Sequence, residues 1–164
     1  MNYEIKKLDI ELKKRMIMNK LFTIGFTKKT AEEFIKLLDE SGVCTVIDIR
    51  LNNTSQLAGF SKFPDIEFFL NSICGIKYIY EPMFSPSEKT LKRYKKKEID
   101  WNTYKKEFNQ TMNERNISAL IKEEYLNLDN VCLLCSEPTP EYCHRSLIAE
   151  RFFNLDNKIV VKHL

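Results

Sequence analysis

The segment Leu134–Ser146, LCSEPTPEYCHRS, gathers Cys135, Glu137, Cys143, His144 and Arg145 into a run broken by Pro138 and Pro140. An earlier stretch, IDIRLNNTSQ, carries Asp48, Arg50, Asn52, Asn53, Ser55 and Gln56. Together these side chains offer three chemistries. The first is metal binding: Cys132-x-x-Cys135 with Cys143-His144 resembles a zinc-ligand set. However, VCLLC reads as a strand, where positions three apart point to opposite faces, and adjacent Cys143 and His144 chelate poorly. No metal site is therefore read. The second is nucleophilic catalysis. Thr139 as N-cap and Pro140 as first helical residue predict a helix over Pro140–Asn154, with Cys143 in the first turn, where the dipole favours a thiolate. Against it, Cys143 shares an apolar stripe with Leu147, Ile148 and Phe152. His144 diverges from it by about 100° on the helix and is no base for it. The short Cys-to-Arg spacing of a cysteine phosphatase loop is also absent, since nine residues separate Cys135 from Arg145.

The third chemistry is anion binding. Helix N-termini present unpaired N–H groups, and the forks of Arg50 and Arg145 suit phosphate or carboxylate. The alternative is an internal ion pair, Asp48 or Glu137 with Arg50 or Arg145, tying two loops together. Glu137 precedes a proline, which favours an extended, exposed position. That suits an acid, a base or a hydrogen-bond acceptor. His144 is either a structural hydrogen-bonder or a proton carrier. His163, next to the last residue, is set aside.

For these side chains to meet, the chain must bring two distant loops to one rim. Leu21–Gly25, Val43–Ile49, Ile76–Tyr80, Val131–Cys135 and Lys158–Lys162 are short, mostly apolar runs that read as strands. Between them lie helical stretches. One opens with the capping box Thr30-x-x-Glu33 and ends before Gly42. Another spans Asp65–Ile73 before Gly75. Leu91–Lys97 and Trp101–Tyr125 follow, the latter with a break near Asn116. Continuous apolar strands alternating with helices predict an α/β fold: a Rossmann-like, three-layer α/β/α sandwich on a mostly parallel sheet of about five strands. In such sheets ligands bind beyond the carboxyl ends of the strands, where three polar clusters fall: Gly25–Lys29, Asp48–Gln56 and Ser136–Arg145.

The chain has 164 residues, 43% hydrophobic and 12% aromatic. That suits one domain and excludes disorder for most of its length. Residues 1–19 are charged, with Ile5, Leu8, Leu12 and Met16 near helical spacing, and read as an N-terminal extension, a helix or a mobile tail. Residues 20–164 form the single α/β domain. No apolar run reaches the roughly 18 residues of a membrane span, and no secretory leader precedes the five cysteines, so a cytoplasmic protein with reduced thiols is expected. The net charge of +3 argues for no partner by itself. Between Glu88 and Gln110, however, eight basic and four acidic residues give a local +4.

The segments Thr23–Leu38, Ile47–Lys62 and Leu133–Phe152 together resemble the bacterial and archaeal family called domain of unknown function 488. The similarity covers roughly residues 20–155. It implies a compact α/β sandwich and marks Asp48, Arg50, Cys135, Glu137, Cys143, His144 and Arg145 as motif residues. It implies no settled activity. Many relatives carry a proline after the aspartate-x-arginine; here Asn52 and Asn53 stand in that loop.

Two functions are expected to compete. In one, Asp48, Glu137, His144 and Cys143 do the chemistry on a phosphorylated or nucleotide-like substrate held by Arg50, Arg145, Asn52, Asn53, Ser55, Gln56 and Cys135. In the other, Lys92–Phe108 binds nucleic acid through its lysines and through Tyr94, Trp101, Tyr104 and Phe108. The competing account of that segment is a buried stripe of Trp101, Tyr104, Phe108 and Met112 with a solvated lysine face. A single divalent ion on Asp48 and Glu137 is a minor variant. No cofactor or oligomeric state is readable.

Overall fold

The computed structural model describes residues 20–164, the side chains of residues 56–58 excepted; the extension read at residues 1–19 lies outside the described residues. Five strands, β1 (Lys20–Gly25), β2 (Thr45–Asp48), β3 (Lys77–Tyr80), β4 (Val131–Cys135) and β5 (Val160–His163), form one all-parallel sheet in the order β3-β2-β4-β1-β5. β4 is buried throughout and sits at the centre, as its unbroken apolar run requires. No helix among the described residues is long and apolar enough to cross a membrane.

Helices cover both faces. On one face, α1 (Ala31–Glu40) and α2 (Asp65–Phe68, continued as a π-type turn over Phe69–Cys74) bury Phe34, Leu38, Ile66 and Leu70 against Phe22, Ile24, Val46 and Cys132. On the other, α3 (Glu88–Lys95), α4 (Trp101–Glu114), α5 (Ile117–Leu120, continued by Ile121–Tyr125) and α6 (His144–Leu155) enclose the larger core. Phe108, Met112, Leu133, Cys135, Leu147 and Ile148 lie in it. Cys132 and Cys135 therefore belong to opposite faces, as strand alternation demands.

Local chemistry sets the helix ends. Thr30 and Glu33 form the reciprocal capping box that opens α1. Gly42 and Gly75 follow their helices at φ 68 and 67, where a side chain would be strained. Asn116, at φ 52, breaks the long helical stretch between α4 and α5. α3 starts three residues earlier than the sequence predicts because Ser87 caps it.

The expected helix start at Pro140 is corrected. α6 begins at His144, with Cys143 as an N-cap of extended backbone. Tyr142 adopts φ 58, which no helix accommodates, so residues 138–142 form a turn. Cys143 is thus outside the first helical turn.

β2 and β4 are neighbours, yet their chains depart in opposite directions, β2 toward α2 and β3, β4 toward α6 and β5 on the other face. Adjacent strands with diverging connections leave a crevice at their carboxyl ends. Asp48 ends one of them and Cys135 the other.

Candidate functional site

Asp48 and Arg50 meet at the end of β2. Arg50 donates from Nε to Asp48 Oδ1 at 2.7 Å and from Nη2 to Oδ2 at 2.6 Å, and its backbone N–H reaches Oδ1 at 3.1 Å. Tyr78 O–H donates to Asp48 Oδ2 at 2.7 Å, and Asn53 Nδ2 donates to the Tyr78 oxygen at 3.2 Å. The remaining fork of Arg50 bonds the carbonyl of Ser61 at 2.8 Å and its hydroxyl at 3.4 Å, while Phe26 lies against the guanidinium. Asp48 is wholly buried and Arg50 is 3% exposed. Burial works against the charge of Arg50, but the hydrogen bonds and charge of Asp48 outweigh it and raise its pKa. This is the internal tie of the two alternatives read from sequence, and it engages Nε, Nη1 and Nη2 of Arg50 within the protein.

The second set is knit differently. Cys135, Cys143 and His144 bring their sulfur and ring-nitrogen atoms within 4.8 Å of one another, all buried. His144 Nε2 lies 3.1 Å from the carbonyl of Ile49, the residue between Asp48 and Arg50. That carbonyl can only accept, so Nε2 carries the proton, and Nδ1 lies 3.6 Å from the Cys135 sulfur. The loops near positions 50 and 140 therefore share one rim.

Arg145 is fully buried in the first turn of α6. Its Nη1 donates to the carbonyl of Glu137 and lies 3.8 Å from the Cys143 sulfur; Nη2 is 3.5 Å from the carbonyl of Pro138. Its Nε is buried with no hydrogen-bond partner. Among the described residues, no carboxylate pairs with it. Glu137 contributes its backbone carbonyl, and its side chain is exposed. A buried guanidinium without a counter-charge is costly, so an anion is required nearby.

The charge of Arg145 reaches the thiol of Cys135. Burial alone would push its thiol up, but a hydrogen bond from Cys143, the backbone N–H groups of Glu137 and Ser136, and the charge of Arg145 together bring it below its usual value. Cys143, donating to that sulfur and buried beside it, is pushed up and stays protonated. Cys132, on the other face, is raised by burial. The three donors could hold zinc or a monovalent copper ion, but no fourth protein ligand joins them among the described residues, and Arg145 sets a positive charge beside one sulfur, which disfavours a cation.

Residues 30–152 match the model of the family described as Domain of unknown function DUF488. The chain belongs to this family. No curated protein and no solved structure showed similarity to it.

Of the site residues expected in this family member, Asp48, Arg50, Asn53, Cys135, Cys143, His144 and Arg145 lie together and buried at the crevice. Asn52 is exposed and accepts from the Thr54 N–H at 3.1 Å, Ser55 is half-buried, and Gln56 opens a 3-10 segment, Gln56–Ser61. The sequence reading did not connect Tyr78 or Ser61 to the site; Lys29 lies in the polar cluster read after β1, and Tyr104 was read as part of the buried stripe. Burial of Lys29 and the nearby charge of Arg145 lower its pKa. Tyr104 is raised by burial and by the neighbouring Cys135 and Cys143. Gly25 was read as a strand end opening the polar cluster Gly25–Lys29. A Cβ there would sit 1.7 Å from the Glu137 carbonyl oxygen and 2.7 Å from Arg145 Nη1, so only glycine lets that loop close over β1.

In the basic segment, Tyr104, Phe108 and Met112 are core. Trp101 stacks on Tyr104 at 5.2 Å, and Tyr94 packs on both. Several charges are paired: Lys92 with Glu88 at 2.7 Å and Arg93 with Glu107 at 2.6 Å. Three of the four stripe residues are thus buried, and Trp101 is half-buried against them.

Proposed function

We propose that this chain is a thiol-dependent enzyme in which Cys135 attacks a small anionic substrate of phosphorylated or nucleotide-like type. One observation carries the reading: a fully buried Arg145 without a carboxylate partner among the described residues, set against the buried cluster of Cys135, Cys143 and His144. A thiolate is the nucleophilic form of cysteine, and a fixed guanidinium both stabilises it and attracts an anion. His144, 3.6 Å from the sulfur, is within reach to carry a proton to a leaving group. Lys28 and Lys29, on the loop after β1, would draw an anion toward the rim. Asp48 and Arg50 act as positioning residues, since they fix the segment whose Ile49 carbonyl orients His144. Cys135 is 2% exposed, so a substrate enters by displacing the half-buried to exposed loop Ser136–Tyr142. A nucleic-acid surface on Lys92–Phe108 would have to rely on lysines, its stacking rings being turned inward.

The test is site-resolved alkylation with iodoacetamide across pH, with and without AMP, ATP or inorganic phosphate. The reading expects Cys135 to react with a midpoint below that of an ordinary thiol, about 8.5, and at least one of the three anions to slow it. A Cys135 that stays unreactive at every pH where the fold persists would refute it.

A further inference from the structure

We propose that Cys135 and Cys143 are a reversible redox pair: a hydroperoxide oxidises Cys135, and Cys143 resolves it to an intramolecular disulfide that switches the site off. The inference rests on Cys135 being the nucleophile described above and names a regulation of that same site. Three features carry it. The two sulfurs lie within 4.8 Å of one another, both buried. A disulfide needs them at about 2.05 Å, so one must move. Both sit at the ends of rigid elements, Cys135 closing β4 and Cys143 capping α6, joined by a loop outside the core. Cys143 itself has extended rather than helical backbone, so its movement gives up the 3.3 Å contact of its N–H to the Pro140 carbonyl and the bonds its carbonyl accepts from Ser146, and leaves the body of α6 in place. Finally, the remaining cysteines are poor competitors. Cys132 belongs to the opposite face, and Cys44 and Cys74 lie on other elements.

The chemistry balances with hydrogen peroxide as oxidant. The Cys135 thiolate attacks one peroxide oxygen, the O–O bond breaks, and hydroxide leaves, giving a sulfenic acid at Cys135. That hydroxide takes the Cys143 proton to form water. The Cys143 sulfur then attacks the Cys135 sulfur, the S–O bond breaks, and hydroxide departs. The sum is thiolate, thiol and peroxide going to disulfide, water and hydroxide; the two sulfurs lose two electrons and the peroxide gains them. A dithiol reductant reverses it. In the oxidised form Arg145 loses its counter-charge, so the loop held by its bonds to the Glu137 and Pro138 carbonyls loosens.

The full chain is treated with hydrogen peroxide, quenched with iodoacetamide and cut with a glutamate-specific protease, which cleaves between the two cysteines after Glu141. The proposal expects a linked Cys135–Cys143 peptide pair, loss of labelling at both residues, a mass loss of two hydrogens, and recovery with dithiothreitol. Cys143→Ser is expected to stop at a Cys135 sulfenic acid trapped by dimedone. If Cys143→Ser is trapped but the wild-type chain forms no such link, or Cys135 links elsewhere, the redox pair is wrong and the nucleophile stands. If Cys135 reacts with neither peroxide nor iodoacetamide, both readings fall.

Discussion

Replacing Asp48 by Asn leaves Arg50 buried at 3% exposure without its counter-ion. The wild-type carboxylate accepts from Arg50 N–H, Nε and Nη2 and from Tyr78 O–H. Asn accepts on one oxygen only and turns an N–H₂ toward one of those donors. Removing one member of a buried pair costs about 3–5 kcal/mol. At roughly 2–4 °C per kcal/mol for a domain of this size, the melting temperature should fall by about 6–20 °C. Arg50→Met should fall similarly, since it buries an unpaired carboxylate. The double variant Asp48→Asn/Arg50→Met should lose clearly less than the sum, because no unbalanced charge remains. Calorimetry or circular-dichroism melts of the four proteins, without added ligand, measure this. Single losses below about 1 kcal/mol, or strictly additive ones, would refute the internal tie and return Arg50 to the ligand-binding candidates.

Gly25→Ala should destabilise by about 1–3 kcal/mol or more, since its Cβ would meet the Glu137 carbonyl; denaturant unfolding reports it, and a neutral result would mean the loop does not close over β1. Arg145→Met should move the alkylation midpoint of Cys135 to higher pH: removing a positive charge disfavours the thiolate, so its pKa rises and labelling at neutral pH slows. An unchanged midpoint would separate Arg145 from the thiol. Fluorescence titration with single- and double-stranded oligonucleotides should show no salt-resistant, stacking-type binding through Lys92–Phe108, because Tyr104 and Phe108 are buried and only the lysines are left; binding that persists at high salt would contradict this.

Helix ends were legible wherever a residue's own chemistry decides them, as at Thr30, Gly42, Gly75 and Asn116. The parallel sheet was legible because VCLLC has no polar alternation and so must be covered twice. The start of α6 was not: Thr139-Pro140 is a sound local signal, but the chain there is bent by contacts with Arg145, and Tyr142 takes a conformation its sequence does not announce. At the site, the sequence supplied most of the participants without their pairing. Arg50 and Arg145 look alike in sequence. Only the fold shows one neutralised by Asp48 and the other facing carbonyls and sulfur, because Glu137 turns its carbonyl inward and its carboxylate outward. Tyr78 and Ser61 reach Asp48 and Arg50 from separate elements, which spacing cannot reveal.

The central claim is that Cys135 is a thiolate balancing a buried arginine. Ultraviolet thiolate absorbance, titrated against pH in the folded wild-type chain and in Cys135→Ser, tests it most directly. The account predicts a one-thiolate step in the wild-type chain, below the ordinary thiol range of about 8.5, that is missing from Cys135→Ser. Two superimposable curves through that range would contradict it.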